Sequence, residues 1–209
     1  GLGAAAHTWY LIAECPLDLS GDEAFYWEWA RHLDLSYYEK GPLVAYIIAA
    51  GRWALAGWSE RLVGSEALAV RVPAILLSAI TGVGVYVLAL NTLRRARLAL
   101  AAVALTFTVP ILAAGAVLMT IDTPLACAWV WALVCVDRAL ARDSLAAWIG
   151  TGVLIAAGIL AKYTMLLLFP AVGLLLVTEP KLRVFLRRPG PYIAMVLGLT
   201  GLVPIVLWS

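Results

Sequence analysis

Between Glu14 and Glu39 lie seven of the 13 acidic residues of this 209-residue chain. Ser20-Gly21-Asp22-Glu23 has the pattern of a capping box, with Ser20 as N-cap and Glu23 at the third helical position. It predicts a helix over 21–33 bearing Phe25, Tyr26, Trp27 and Trp29, with Glu28, Arg31 and His32 among them. Such an amphipathic, aromatic-rich helix suits a membrane interface. Two readings stand for Asp22 and Glu23. Acids are favoured beside the free N–H groups of a helix start by about 0.3–1 kcal/mol. Alternatively, a carboxylate at the water–lipid boundary accepts a proton from an incoming hydroxyl, which is general-base chemistry.

Tyr37-Tyr38-Glu39-Lys40-Gly41-Pro42 follows. Gly-Pro ends one element and starts another, which leaves Lys40 at the junction. A lysine with helix N-terminal N–H groups behind it forms a phosphate site; a snorkelling lysine with belt tyrosines explains the same residues. Asp122, in Thr120-Ile121-Asp122-Thr123-Pro124, either caps a helix end or joins a site. Lys162 and Tyr163 break a long apolar stretch, as a short outer turn or as a charge paired with an acid such as Asp122. Arg71, just inside a span, poses the same choice. His7 and His32 show no metal-ligand spacing, and no nucleophile-elbow, Walker or dinucleotide pattern occurs. Cys15, Cys127 and Cys135 form neither a disulfide framework nor a metal motif.

The elements that must position these residues are membrane helices. Hydrophobic residues make up 64% of the chain and charged residues 13%, against about 45–50% and about 25% in soluble proteins. That excludes a soluble surface, and a net charge of +2 with no basic stripe excludes a nucleic-acid partner. Spans of about 20 apolar residues are expected over 66–93, 98–118, 123–137, 144–161, 163–178 and 190–208, with part of a first helix at 1–13. The links after 66–93, 123–137 and 163–178 hold nine of the 15 Lys/Arg with three acids. The other side holds six against ten acids. The positive-inside rule puts the first set in the cytoplasm, so residues 14–65, Asp122 and Lys162 share the outer face. The apolar stretch 42–57 is about 24 Å long as a helix and Arg52 interrupts it, so it is expected to lie along the outer interface. Both ends look cut, and the chain is expected to be the N-terminal part of one larger transmembrane domain.

Leu19 to Trp29 resembles the first outer-loop signature of the dolichyl-phosphate-mannose-protein mannosyltransferase family, including its bacterial aminoarabinose-transferase relatives. Leu35 to Ala45 is similar to its second loop signature, and Ala69 to Pro73, Thr120 to Leu125, Gly158 to Thr164 and Val203 to Trp208 resemble later family segments. The resemblance implies an all-α, polytopic type C glycosyltransferase with interfacial helices in its first outer loop. It implies transfer of mannose or a related sugar, with inversion, from a polyprenyl-phosphate donor to a protein, lipid or glycan acceptor at the outer face of a bacterial inner membrane. By the same resemblance Asp22 is the general base, Lys40 holds the donor phosphate, and Glu23, Tyr37, Tyr38, Glu39, Asp122 and Lys162 support the site. Glu39 stands where the aminoarabinose group has a candidate metal ligand; partner ligands are not identified here, so no metal or other cofactor is assigned. The competing classes are a transporter, which predicts charges at mid-membrane and repeated halves, and a non-catalytic membrane subunit, which needs no acidic loop.

Overall fold

The computed structural model describes residue 9, residues 19–37 and residues 40–208. The expected helix at 1–13, His7, Cys15, Tyr38 and Glu39 lie outside the described residues, Trp9 excepted. The fold is all-α. The helices are α1 (Gly21–Arg31), α2 (Leu43–Val63), α3 (Ala67–Leu93), α4 (Ala96–Thr106), α5 (Pro110–Gly115), α6 (Asp122–Arg142), α7 (Leu145–Ala161), α8 (Leu168–Thr178), α9 (Pro189–Leu199) and α10 (Val203–Trp208). A 3-10 turn, Tyr163–Leu167, leads into α8, and another, Thr200–Leu202, joins α9 to α10. By length and composition Ala67–Leu93, Asp122–Arg142 and Pro189–Trp208 can cross a membrane, while Ala96–Thr106, Leu145–Ala161 and Tyr163–Thr178 are shorter apolar helices.

Several boundaries differ from the sequence expectation. The expected 98–118 helix is broken at 107–109 into α4 and α5, because Pro110 has no N–H to continue the ladder and the residue before a proline is pushed out of the α region. Helix α6 runs on to Arg142, past Asp137 and Arg138, which were expected in a link. It stops at Asp143, whose φ of 51° is left-handed. Helix α2 extends to Val63 rather than 57, making it 21 residues. Its stop is Gly64, at φ +70°, where a side chain would be strained.

The chain divides into two compact units, residues 1–34 with 42–127, and residues 35–41 with 128–209. In the first, α1 packs on α2, α2 on α3, and α3 on α4. Buried Tyr26 and Ala30 of α1 meet Val44 and Ile48 of α2, Val70 and Ala74 of α3, and Met119 and Ile121 ahead of α6. The α2–α3 approach depends on Gly51: a Cβ there would sit 2.5 Å from the Ala69 carbonyl oxygen and 2.7 Å from the Pro73 ring. Buried Ser59 of α2 accepts the Ala69 N–H at 3.2 Å and donates to the Ser65 carbonyl at 2.6 Å, which satisfies a free donor at the start of α3.

In the second unit α7 packs chiefly on α9. Gly152 and Gly190 make this close: a Cβ at Gly152 would lie 2.8 Å from the Ala194 carbonyl oxygen, and one at Gly190 would lie 2.2 Å from the Trp148 ring. The core there joins Val136, Ala139, Trp148, Leu176, Phe185 and Ala194.

Candidate functional site

The Ser20–Glu23 turn forms the capping box expected from its sequence. The Ser20 N–H donates to Glu23 Oε2 at 3.0 Å, and the Glu23 N–H donates to Ser20 Oγ at 3.4 Å. The Glu23 carboxylate also binds beyond its own helix. Arg71 Nε donates to Oε1 at 3.0 Å, Arg71 NH2 donates to Oε2 at 2.8 Å, and the Met119 N–H donates to Oε1 at 3.2 Å. Glu23 is 0% exposed and Arg71 3%. The choice left open for Arg71 is therefore settled as pairing with an acid. This forked pair ties α1, α3 and the segment before α6 to one point. Removing one partner would leave the other charge buried and uncompensated, at a cost of about 3–5 kcal/mol.

Asp22, one residue earlier, is the opposite case. It is exposed in the first turn of α1, and its carboxylate makes no hydrogen bond or ion pair with the described residues. One and two helical turns further along the same face, Phe25 and Trp29 pack ring to ring at 4.6 Å, with buried Tyr26 5.4 Å from Trp29. The result is an available carboxylate on a turn held from behind, which is the arrangement a proton acceptor needs.

A second polar cluster in this unit escaped the sequence reading. Glu66, the residue before α3, accepts Trp27 Nε1–H at 2.6 Å and Arg52 Nε–H at 2.6 Å, with Arg52 NH2 at 3.2 Å. Arg31 and Arg52 both lie over the Trp27 ring, at 5.0 and 5.4 Å. The Arg52 guanidinium, followed by the Trp27 indole, holds the Glu66 carboxyl below its usual range against the opposing effect of burial. The signal was Arg52 itself, a charge inside an apolar helix that required a partner. Tyr46 of α2 donates to the Asp34 carbonyl at 2.7 Å, and burial, then the Asp34 charge, pushes its hydroxyl pKa up.

Asp122 is the first residue of α6 and is half-buried. It lines a slot of about 10 Å³, room for about one water, together with Ser78, Thr81, Thr106 and Thr123. Ser78 Oγ and Thr123 Oγ1 both donate to the Gly115 carbonyl, at 2.9 and 3.1 Å. Their lone pairs remain to accept hydrogen bonds from a water-sized guest. The broken α4–α5 segment supplies one wall, through Thr106, Phe107, Ile111, Leu112 and Gly115.

Lys40, Tyr37 and Lys162 belong to the second unit. Tyr37 and Lys40 pair as an isolated antiparallel bridge, Lys40 N–H to Tyr37 O at 3.0 Å and Tyr37 N–H to Lys40 O at 3.3 Å. Gly41 then rests on the end of α7, where a Cβ would sit 2.0 Å from the Leu160 carbonyl oxygen. Lys162, half-buried, closes α7 with its N–H on the Gly158 carbonyl at 2.8 Å. Thus Lys40 is one residue and Lys162 two residues from a single backbone contact, Gly41 on Leu160, that is not visible in the sequence. Among the described residues no group of three or more His, Cys, Asp or Glu could hold a metal ion.

Comparison with known proteins bears on the family. A lipid A galacturonosyltransferase of Rhizobium johnstonii is 52% identical over 33 residues, which is 16% of this chain and 7% of that protein. No solved structure matches the chain. A protein family described as dolichyl-phosphate-mannose-protein mannosyltransferase matches residues 39–208, a range that includes Lys40, Asp122 and Lys162 and begins after Asp22 and Glu23. With most of its length so matched, the chain belongs to the dolichyl-phosphate-mannose-protein mannosyltransferase family.

Proposed function

We propose that this chain is the acid-bearing part of a membrane glycosyltransferase that moves a sugar from a polyprenyl-phosphate donor to a hydroxyl-bearing acceptor at the outer membrane face. Asp22 accepts the acceptor's proton as its oxygen attacks the anomeric carbon. The bond from that carbon to the phosphate oxygen breaks with inversion, and its electron pair leaves with the polyprenyl phosphate. Lys40 balances the negative charge that develops there, the kind of electrostatic stabilisation that contributes most to such steps. Glu23 is a positioning group: fully buried and saturated by Arg71, Ser20 and Met119, it holds the turn rather than meeting substrate. Asp122 and Lys162, each half-buried at an end of its helix, support substrate binding, together with Tyr37, Tyr38 and Glu39.

The observation that carries this reading is the division of labour between adjacent acids. One is locked in a buried ion pair, and the other is left exposed on the same rigid turn. Family membership and the galacturonosyltransferase likeness support glycosyl transfer as the reaction class. Sugar transfer in membranes containing the full-length protein tests the reading. Asp22→Asn keeps the size and the cap geometry but lacks the basic carboxylate, so turnover should fall by about 100-fold or more. Wild-type turnover at equal expression would sink the assignment. Lys40→Ala should raise the apparent KM for donor, and an unchanged donor KM would remove its phosphate role.

A further inference from the structure

The second unit carries a basic turn that glycosyl transfer at the outer face does not use. Between α8 and α9 the chain reads Glu179-Pro180-Lys181-Leu182-Arg183-Val184-Phe185-Leu186-Arg187-Arg188. Arg183 Nε donates to the Val177 carbonyl at 2.9 Å, and Arg188 pairs with Asp143 and lies 5.7 Å from the Phe185 ring centre. Lys181 and Arg187 are exposed and make no ion pair with the described residues. Immediately after this turn an apolar groove of about 330 Å³ runs along α9, lined by Pro189, Tyr192, Ile193, Val196 and Leu197. Groove and turn are joined by a hydrogen bond, since Tyr192, which lines the groove, donates its hydroxyl to the Leu186 carbonyl at 2.7 Å. The groove lies on a segment, Pro189–Trp208, that is long and apolar enough to cross a membrane.

We propose that the Lys181–Leu197 segment binds one anionic phospholipid, its phosphodiester at Lys181 and Arg187 and an acyl chain along the α9 groove. Charge complementarity selects the occupant. The apolar wall by itself would take any lipid tail, but two exposed cations in the turn that leads into it favour a phosphate that no neutralising choline accompanies. A soluble anion would leave the groove empty, and a neutral lipid would leave the cations uncompensated. Diffuse attraction of all basic links to an anionic leaflet would not depend on this groove, so the two explanations separate experimentally.

The test uses full-length protein stripped of lipid in detergent and titrated with phosphatidylglycerol, phosphatidylcholine or inorganic phosphate, with bound lipid counted by native mass spectrometry. Phosphatidylglycerol should be retained as one molecule per chain, phosphatidylcholine should not, and inorganic phosphate should not displace the bound lipid. Lys181→Ala with Arg187→Ala should weaken phosphatidylglycerol about 30-fold, the equivalent of about 1 kcal/mol for each surface cation. Val196→Trp occupies the groove without touching a charge, and Val196 is 62% exposed, so the substitution leaves the core intact; it should weaken retention as well. Arg94→Ala with Arg95→Ala, in another basic link, should leave retention unchanged. Equal retention of the two lipids, displacement by inorganic phosphate, an unaffected Val196→Trp, or equal loss in the Arg94/Arg95 variant would each overturn the proposal.

Discussion

The turns at Ser20–Glu23 and at Arg183–Pro189 both set an ion pair beside a helix start, yet Glu23 and Arg71 are 0% and 3% exposed whereas Arg188 and Asp143 are 46% and 48% exposed. In the first, charge holds the structure: the Glu23 carboxylate joins α1, α3 and the Met119 backbone. In the second, apolar packing holds it: Phe185 and Gly190 press on Trp148, and the charges lie outside. The contrast shows how a turn locked by a buried pair differs from one whose charges face water. A buried pair cannot be rearranged without large cost, while an exposed pair exchanges freely with water and ions.

The largest effect is expected from Arg71→Leu, which strands the Glu23 charge in the core. Denaturation of the purified protein should show a loss of about 3–5 kcal/mol, and a loss under about 1 kcal/mol would erase the contrast. Next is Gly190→Ala, which drives a methyl into the Trp148 ring and should cost about 1–3 kcal/mol, read as a fall in Tm. Ser20→Ala removes half of the capping box and should cost about 1 kcal/mol by the same measurement.

A smaller effect follows from pH. The Glu66 carboxyl is lower in the folded protein than its ordinary value of 4.5. Its contribution to stability is therefore present above that ordinary value and lost as pH falls through the lower folded one. Wild type should lose more Tm on acidification below 4.5 than Glu66→Gln does, and parallel curves would show that Arg52 contributes nothing through this carboxylate. The smallest effect is expected from Asp143→Asn, within about 0–1 kcal/mol in the same denaturation measurement, because the pair with Arg188 is exposed and screened. A loss comparable to that of Arg71→Leu would show that the basic turn, too, is held by charge.

How legible these features were depends on their range. The capping box spans three residues and was read correctly, because its partners are neighbours in the chain. The 66–93 span was nearly exact, since hydropathy reports it directly and Arg94 ends it in a left-handed cap. The break at 107–109 was missed because Phe107, Thr108 and Val109 carry no charge and membrane helices often tolerate a proline such as Pro110. The end of α6 was misplaced because Asp137 and Arg138 looked like a link, although both stand on a helix whose stop signal is the left-handed Asp143. The Trp27–Arg52–Glu66 cluster joins residues 39 and 14 apart, and nothing in local periodicity connects them.

By itself the amino-acid sequence determined that this is a helical membrane protein with an acid-rich loop, because hydropathy, sign of charge and capping patterns act over one or two helical turns. Only the tertiary structure decided which acid of the Asp22–Glu23 pair is available. Arg71 is 48 residues from Glu23 and Met119 is 96, and burial, which makes their pairing with Glu23 obligatory, exists only once the helices have packed.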